Sequence, residues 1–145
     1  MTYTMPSMAI IRLPESMRNR IAAAVTAGYP HETCGLLVGR QGAGAVEVLD
    51  SLQAANLNQE RPGDRYELDP KAMLAADRDA RSRGLEIVGV WHSHPDHPAE
   101  PSETDRAAAW EGWSYLIVSV ARDGINAIRS WRLDGERFYE EDLAL

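Results

Sequence analysis

Apolar positions along the chain fall in short blocks separated by turn residues. Ala9 to Leu13 (AIIRL) reads as a brief strand. Pro14, Glu15 and Ser16 then open a helix that runs to about Gly28, with proline at its start and glycine at its end. Thr33 to Arg40 (TCGLLVGR) is short and continuously apolar, the pattern of a buried strand. The Gly-rich turn 41–44 leads into a second strand over 45–52, which makes a hairpin. A polar loop occupies 56–64, and Arg65 to Leu68 is extended. Asp69 and Pro70 supply the N-cap and first position of a helix ending near Gly84. Leu85 to Trp91 (LEIVGVW) predicts a central strand. After a Pro-rich loop, Ser102 caps a helix reaching Gly112, and strands follow over 115–120, 125–133 and 137–139, joined by Asp-Gly turns. Strands and helices interleave, so a mixed sheet covered by helices on both faces is expected.

Composition narrows the class. With 145 residues, the chain is read as one domain over 1–145. A net charge of -7 argues against nucleic-acid binding, which needs clustered cations. No apolar run is long enough to span a membrane, and Met1 to Met8 lacks the charge and apolar pattern of a signal peptide. A cytoplasmic location is expected on those grounds. Cys34 is the only cysteine, so a Cys-rich zinc knot is excluded and any metal site must be built from His, Asp and Glu.

The strand 85–91 delivers the chain into His92-Ser93-His94-Pro95. Side chains two apart on a strand share a side, so both imidazoles can meet one ion while Ser93 points away. Asp105, in the first turn of the next helix, supplies a carboxylate that also suits a helix N-terminus. Two His and one carboxylate leave a fourth tetrahedral position open, the mark of a catalytic zinc. Each half has a simpler reading alone. Ser102-Glu103-Thr104-Asp105 is also a helix start, and His-x-His arises by chance on surfaces. Non-haem iron oxygenases use the same two-His-one-carboxylate set. Zinc deaminases need a Cys-x-x-Cys pair that this chain lacks.

Taken together, His92-Ser93-His94-Pro95, a seven-residue gap, Ser102-Glu103-Thr104-Asp105 and an upstream Glu32 resemble the JAMM (MPN-plus) metalloprotease motif. His31-Glu32-Thr33-Cys34-Gly35 and Gly89-Val90-Trp91 are similar to the family's surrounding text. The resemblance runs from about residue 9 to the last strand. It implies a single-domain α/β fold, three-layer α-β-α with a mixed, curled sheet, similar to cytidine deaminases. It also implies one zinc ion per chain on His92, His94 and Asp105. Glu32 would be the general acid/base, and Ser102 would donate to the oxyanion. The compact bacterial branch acts on ubiquitin-like sulfur-carrier proteins at a Gly-Gly terminus, so such a carrier is the implied substrate. Asn56, Arg65 and Tyr66 fall where the family carries a substrate-contacting insertion. A non-catalytic MPN-type binding module would share the fold. Cys34 and the four tryptophans are read as packing residues, and nothing sets the oligomeric state.

Overall fold

A computed structural model describes residues 10–58, 63 and 66–144. The elements are β1 (Ile10–Arg12), α1 (Glu15–Gly28), β2 (Cys34–Gln41), β3 (Ala45–Ala54), α2 (Pro70–Ser82), β4 (Glu86–Pro95), α3 (Glu103–Ala108), β5 (Ser114–Ala121), β6 (Gly124–Asp134) and β7 (Arg137–Ala144). The sheet is mixed, as expected, and its curl goes to closure. Neighbours run β1-β3-β2-β4-β5-β6-β7, and β1 pairs in parallel with both β3 and β7. Strands β4 and β5 are also parallel, and the remaining pairs are antiparallel.

Two apolar clusters explain why the central strands are apolar at consecutive positions. Leu37, Leu116 and Val118 pack with Ile21 and Val25 of α1. Leu36, Val90 and Tyr115 pack with Ala76 and Met73 of α2 on the other side. A strand buried on both faces has no polar alternation to display. Helix α2 begins as its sequence predicts, with Asp69 accepting from the Lys71 backbone N–H and Pro70 in first place.

A bulge sets which face carries the histidines. The β2–β4 register steps from Val38 opposite Ile87 to Leu37 opposite Gly89, so Val88 is an extra residue. Ile87 and Val90 consequently share the α2-side cluster, while Val88 and Trp91 join the α1 side. Beyond the bulge, simple alternation puts Val90, His92 and His94 on one face.

Three boundaries differ from expectation. Strand β4 continues through the motif, because His92 to Pro95 pair with Ile117 to Val120. Helix α3 stops at Ala108, a turn short of Gly112. Ala109 is already extended (ψ 152°), the Trp110 N–H donates to the Tyr115 hydroxyl at 2.7 Å, and Gly112 takes φ +88°. Strand β7 runs on to Ala144 because β6 and β1 both pair with it. Trp110 is also 69% exposed, against the packing role expected of it. Among the described residues, no helix is long and apolar enough to cross a membrane.

Candidate metal centre and active site

His92 and His94 leave β4 on the same face, both buried. Their Nε2 atoms lie 3.1 Å apart. Asp105 Oδ2 stands 3.0 Å from His94 Nε2 and 3.3 Å from His92 Nε2. Ser93, between them, faces the other way: its Oγ accepts from the Thr33 N–H at 2.9 Å.

The donor set fits a metal ion. His94 Nδ1 lies 2.8 Å from the Pro98 carbonyl oxygen, which can only accept, so Nδ1 carries the proton. A neutral His94 therefore turns its Nε2 lone pair toward a carboxylate oxygen and a second imidazole. Three such atoms converge favourably around a shared cation. Their separations of 3.0, 3.1 and 3.3 Å match the edge, about 3.3 Å, of a tetrahedron with bonds of about 2.0–2.1 Å. His92 Nδ1 is buried and has no hydrogen-bond partner among the described residues. The ring is instead oriented by Tyr66, stacked on it at 4.4 Å between centroids and 23° between planes.

Electrostatics separates the three groups. Burial would raise the Asp105 carboxyl, but His92 and His94 outweigh it and hold the group well below the ordinary carboxylate range. Burial prevails at His92 and lowers its pKa. At His94 burial also acts downward, yet Asp105 and the Pro98 carbonyl bring the net shift up.

Glu32 reaches the same place from the opposite strand. It precedes β2, and Cys34, two residues on, lies opposite His92 in the β2–β4 register. Glu32 is 4% exposed, and it, His92 and His94 offer ligand atoms within 4.8 Å of one another, a group that could hold a metal. Two carboxylates thus flank one histidine pair. Asp105 makes the tighter trio.

Ser102 caps α3 in a reciprocal box. Its Oγ accepts from the Asp105 N–H at 3.0 Å, and its own N–H donates to Asp105 Oδ2 at 2.9 Å. The capping carboxylate is therefore the one facing the histidines. The simple helix-start reading and the ligand reading describe the same residue. Ser102 is exposed at the rim of a cleft of about 350 Å³ lined also by Glu32, His94, His97 and Pro98. A second cleft of about 230 Å³, walled by Leu68, Met73, Trp110 and Trp113, reaches Asp105 from the other side. Thr104 borders both.

The insertion residues behave differently from simple surface contacts. Asn56 spends its amide internally: Nδ2 donates to the Glu32 carbonyl at 3.1 Å, and Oδ1 accepts from the N–H groups of Asn58 and Glu67 at 3.0 and 2.9 Å. Tyr66 lies against His92. Arg65 lies outside the described residues. Cys34 Sγ faces the carbonyls of Ala54 and Ala55, and burial, with the nearby Glu32 charge, pushes its thiol up to about 12. It is a packed thiol, not a nucleophile.

Sequence reasoning missed the contact of Ser93 with Thr33, Tyr66 as the support of His92, and the Pro98 carbonyl. Only the first had a signal, the two-residue alternation that turns Ser93 away from the histidines.

Residues 14–134 match the family model Prok-JAB, prokaryotic homologs of the JAB domain. The desampylase of Haloferax volcanii is 37% identical over 117 residues, 80% of this chain and 79% of that protein. The CysO-cysteine peptidase of Mycobacterium tuberculosis is 30% identical over 126 residues, 86% of this chain and 84% of that protein. A solution structure from Desulfitobacterium hafniense superposes with a TM-score of 0.81 at 30% identity, covering 92% of this chain and 90% of that one. The chain belongs to the prokaryotic JAB-domain family, the one its paired-histidine and Ser-x-x-Asp motif resembles.

Proposed function

We propose that the chain is a zinc-dependent peptidase or isopeptidase that cuts an amide bond at the C-terminal Gly-Gly tail of a ubiquitin-like sulfur-carrier protein. The observation that carries this reading is the meeting of His92 Nε2, His94 Nε2 and Asp105 Oδ2 within 3.3 Å, beside a buried Glu32. The names of the desampylase and the CysO-cysteine peptidase support the substrate class.

His92, His94 and Asp105 would hold the zinc. When bound, zinc polarises the scissile carbonyl and lowers the pKa of a water to about 7. Glu32 then takes the proton from the attacking water and gives it to the departing amine. Its burial keeps bulk water from competing for that proton. Ser102 donates a hydrogen bond from its hydroxyl to the oxyanion. The Asp105 N–H already occupies one Oγ lone pair, which leaves the O–H free to turn into the cleft. The two clefts meeting at Thr104 give the tail and the leaving amine opposite approaches.

The test is mass spectrometry of Gly-Gly carriers bearing a C-terminal extension or a lysine conjugate, incubated with zinc-loaded protein. Loss of the group beyond Gly-Gly is expected. Carriers that bind the zinc-loaded protein and stay intact would leave a binding module as the better reading.

A further inference from the structure

The loop joining the two halves of the motif makes few backbone bonds of its own, because Pro95, Pro98 and Pro101 lack N–H groups. It is held from outside, residue by residue. Ser119 Oγ donates to the His97 carbonyl at 2.5 Å. His94 Nδ1 donates to the Pro98 carbonyl at 2.8 Å. Trp131 Nε1 donates to the Ala99 carbonyl at 3.0 Å. Arg129 reaches the Glu100 carboxylate at 3.2 Å while its guanidinium lies 4.6 Å over the Trp131 ring.

The middle bond of this series matters to the metal centre, since the Pro98 carbonyl decides which His94 nitrogen carries the proton. The carbonyls on either side of it are pinned by β5 and β6. Ser119 is opposite His94 in the parallel β4–β5 register, and Trp131 is opposite Tyr115 on the next strand. Ala99 is 2% exposed, so water does not replace the indole donor there.

We propose that Ser119 and Trp131 are positioning residues that fix the Pro98 carbonyl and, through it, the His94 ring and the zinc affinity of the site. The zinc arm of this inference rests on the function proposed above. The ring arm does not, because it is read in metal-free protein.

Trp131→Phe keeps the ring beneath Arg129 and removes only the N–H. Ser119→Ala removes only the hydroxyl, and Ser119→Thr restores it. Nitrogen-15 NMR of the imidazoles would follow exchange of the His94 Nδ1 proton in metal-free protein, and chelator competition would give the zinc Kd. In Trp131→Phe, exchange faster and zinc binding weaker by on the order of tenfold are expected. Ser119→Ala should move both in the same direction, Ser119→Thr should return them toward wild type, and Tm should stay within about 5 °C. Wild-type proton exchange and zinc affinity in both deletion variants would overturn the proposal. If Trp131→Phe does not fold, the two Ser119 variants decide by the same criteria. A protein that retains zinc but cleaves no carrier refutes the peptidase reading and leaves this inference standing.

Discussion

Ser93 and Thr33 clasp each other by three bonds: the Thr33 N–H and hydroxyl donate to Ser93 Oγ at 2.9 and 3.3 Å, and the Ser93 N–H donates to the Thr33 carbonyl at 2.9 Å. Ser93 sits between the two histidines, and Thr33 follows Glu32. The clasp therefore fixes the distance between Glu32, the proposed proton carrier, and the histidine pair, from the face of β4 opposite the two imidazoles. Ser93→Ala leaves the Thr33 N–H without its partner and should cost roughly 1–3 kcal/mol in urea unfolding. Turnover should fall further than that loss implies, with KM little changed. Ser93→Thr, which keeps the hydroxyl, should recover most of both.

Glu32→Gln separates binding from chemistry. The variant should fold and keep zinc, while turnover drops by about 10²-fold or more, the usual share of a general acid/base. Asp105→Ala should instead lose the metal and part of the helix cap. Metal content by elemental mass spectrometry, run beside the cleavage assay, tells the two apart. Unchanged turnover in either variant would refute the assignment of these roles.

Cys34 gives a pH dependence of stability with a definite sign. Its thiol ordinarily titrates near 9.0 and is held up to about 12 in the fold, chiefly by burial. The folded state therefore keeps a proton that the unfolded chain loses. Its contribution is whole below pH 9 and fades as pH rises toward 12. Between pH 9 and 10.5 the wild type should lose up to about 2 kcal/mol relative to Cys34→Ala, at 1.36 kcal/mol per pH unit. Urea titrations of both proteins at the two pH values measure the difference. For the same reason the native thiol should resist alkylation at pH 8.

Gly89 lets β4 and β5 approach. A Cβ there would stand 2.1 Å from the Ser114 carbonyl oxygen, which is backbone and has nowhere to go. Gly89→Ala should destabilise the protein by about 3 kcal/mol or more. Because Gly89 is three residues before His92 on the same strand, zinc affinity should fall with it. Thermal unfolding with and without zinc would register both.

The parts of the site that could be read from sequence are the ones encoded locally. His92 and His94 are two apart on a strand, and Ser102 and Asp105 are three apart across a helix start, so each pair declares its geometry by period alone. Glu32 does not. Its place depends on Cys34 lying opposite His92, a register that no local pattern contains. The bulge at Val88 is equally silent, since it is a relation between two strands. Element types follow from apolar period and turn residues, whereas β4 runs longer than its apolar block because β5 goes on pairing with His92 to Pro95. Helix α3 ends early for a tertiary reason, the claim of the Tyr115 hydroxyl on the Trp110 N–H. Tyr66 was legible as an insertion residue, but not as the floor beneath a histidine.

Strand β1 has a consequence for synthesis. Three residues, Ile10 to Arg12, join Ala45–Glu47 on one side to Asp142–Ala144 on the other. Among the described strands, the ribosome makes β1 first and β7 last. Until β7 emerges, β1 has only β3 for company, and the ring stays open however completely the middle strands have formed. Closure is the contact of greatest sequence separation in the sheet, and loop entropy places such contacts late. The barrel around β4 and its histidines therefore cannot shut until β7 has been made. The interval until β7 arrives is when open strand borders are exposed to other chains.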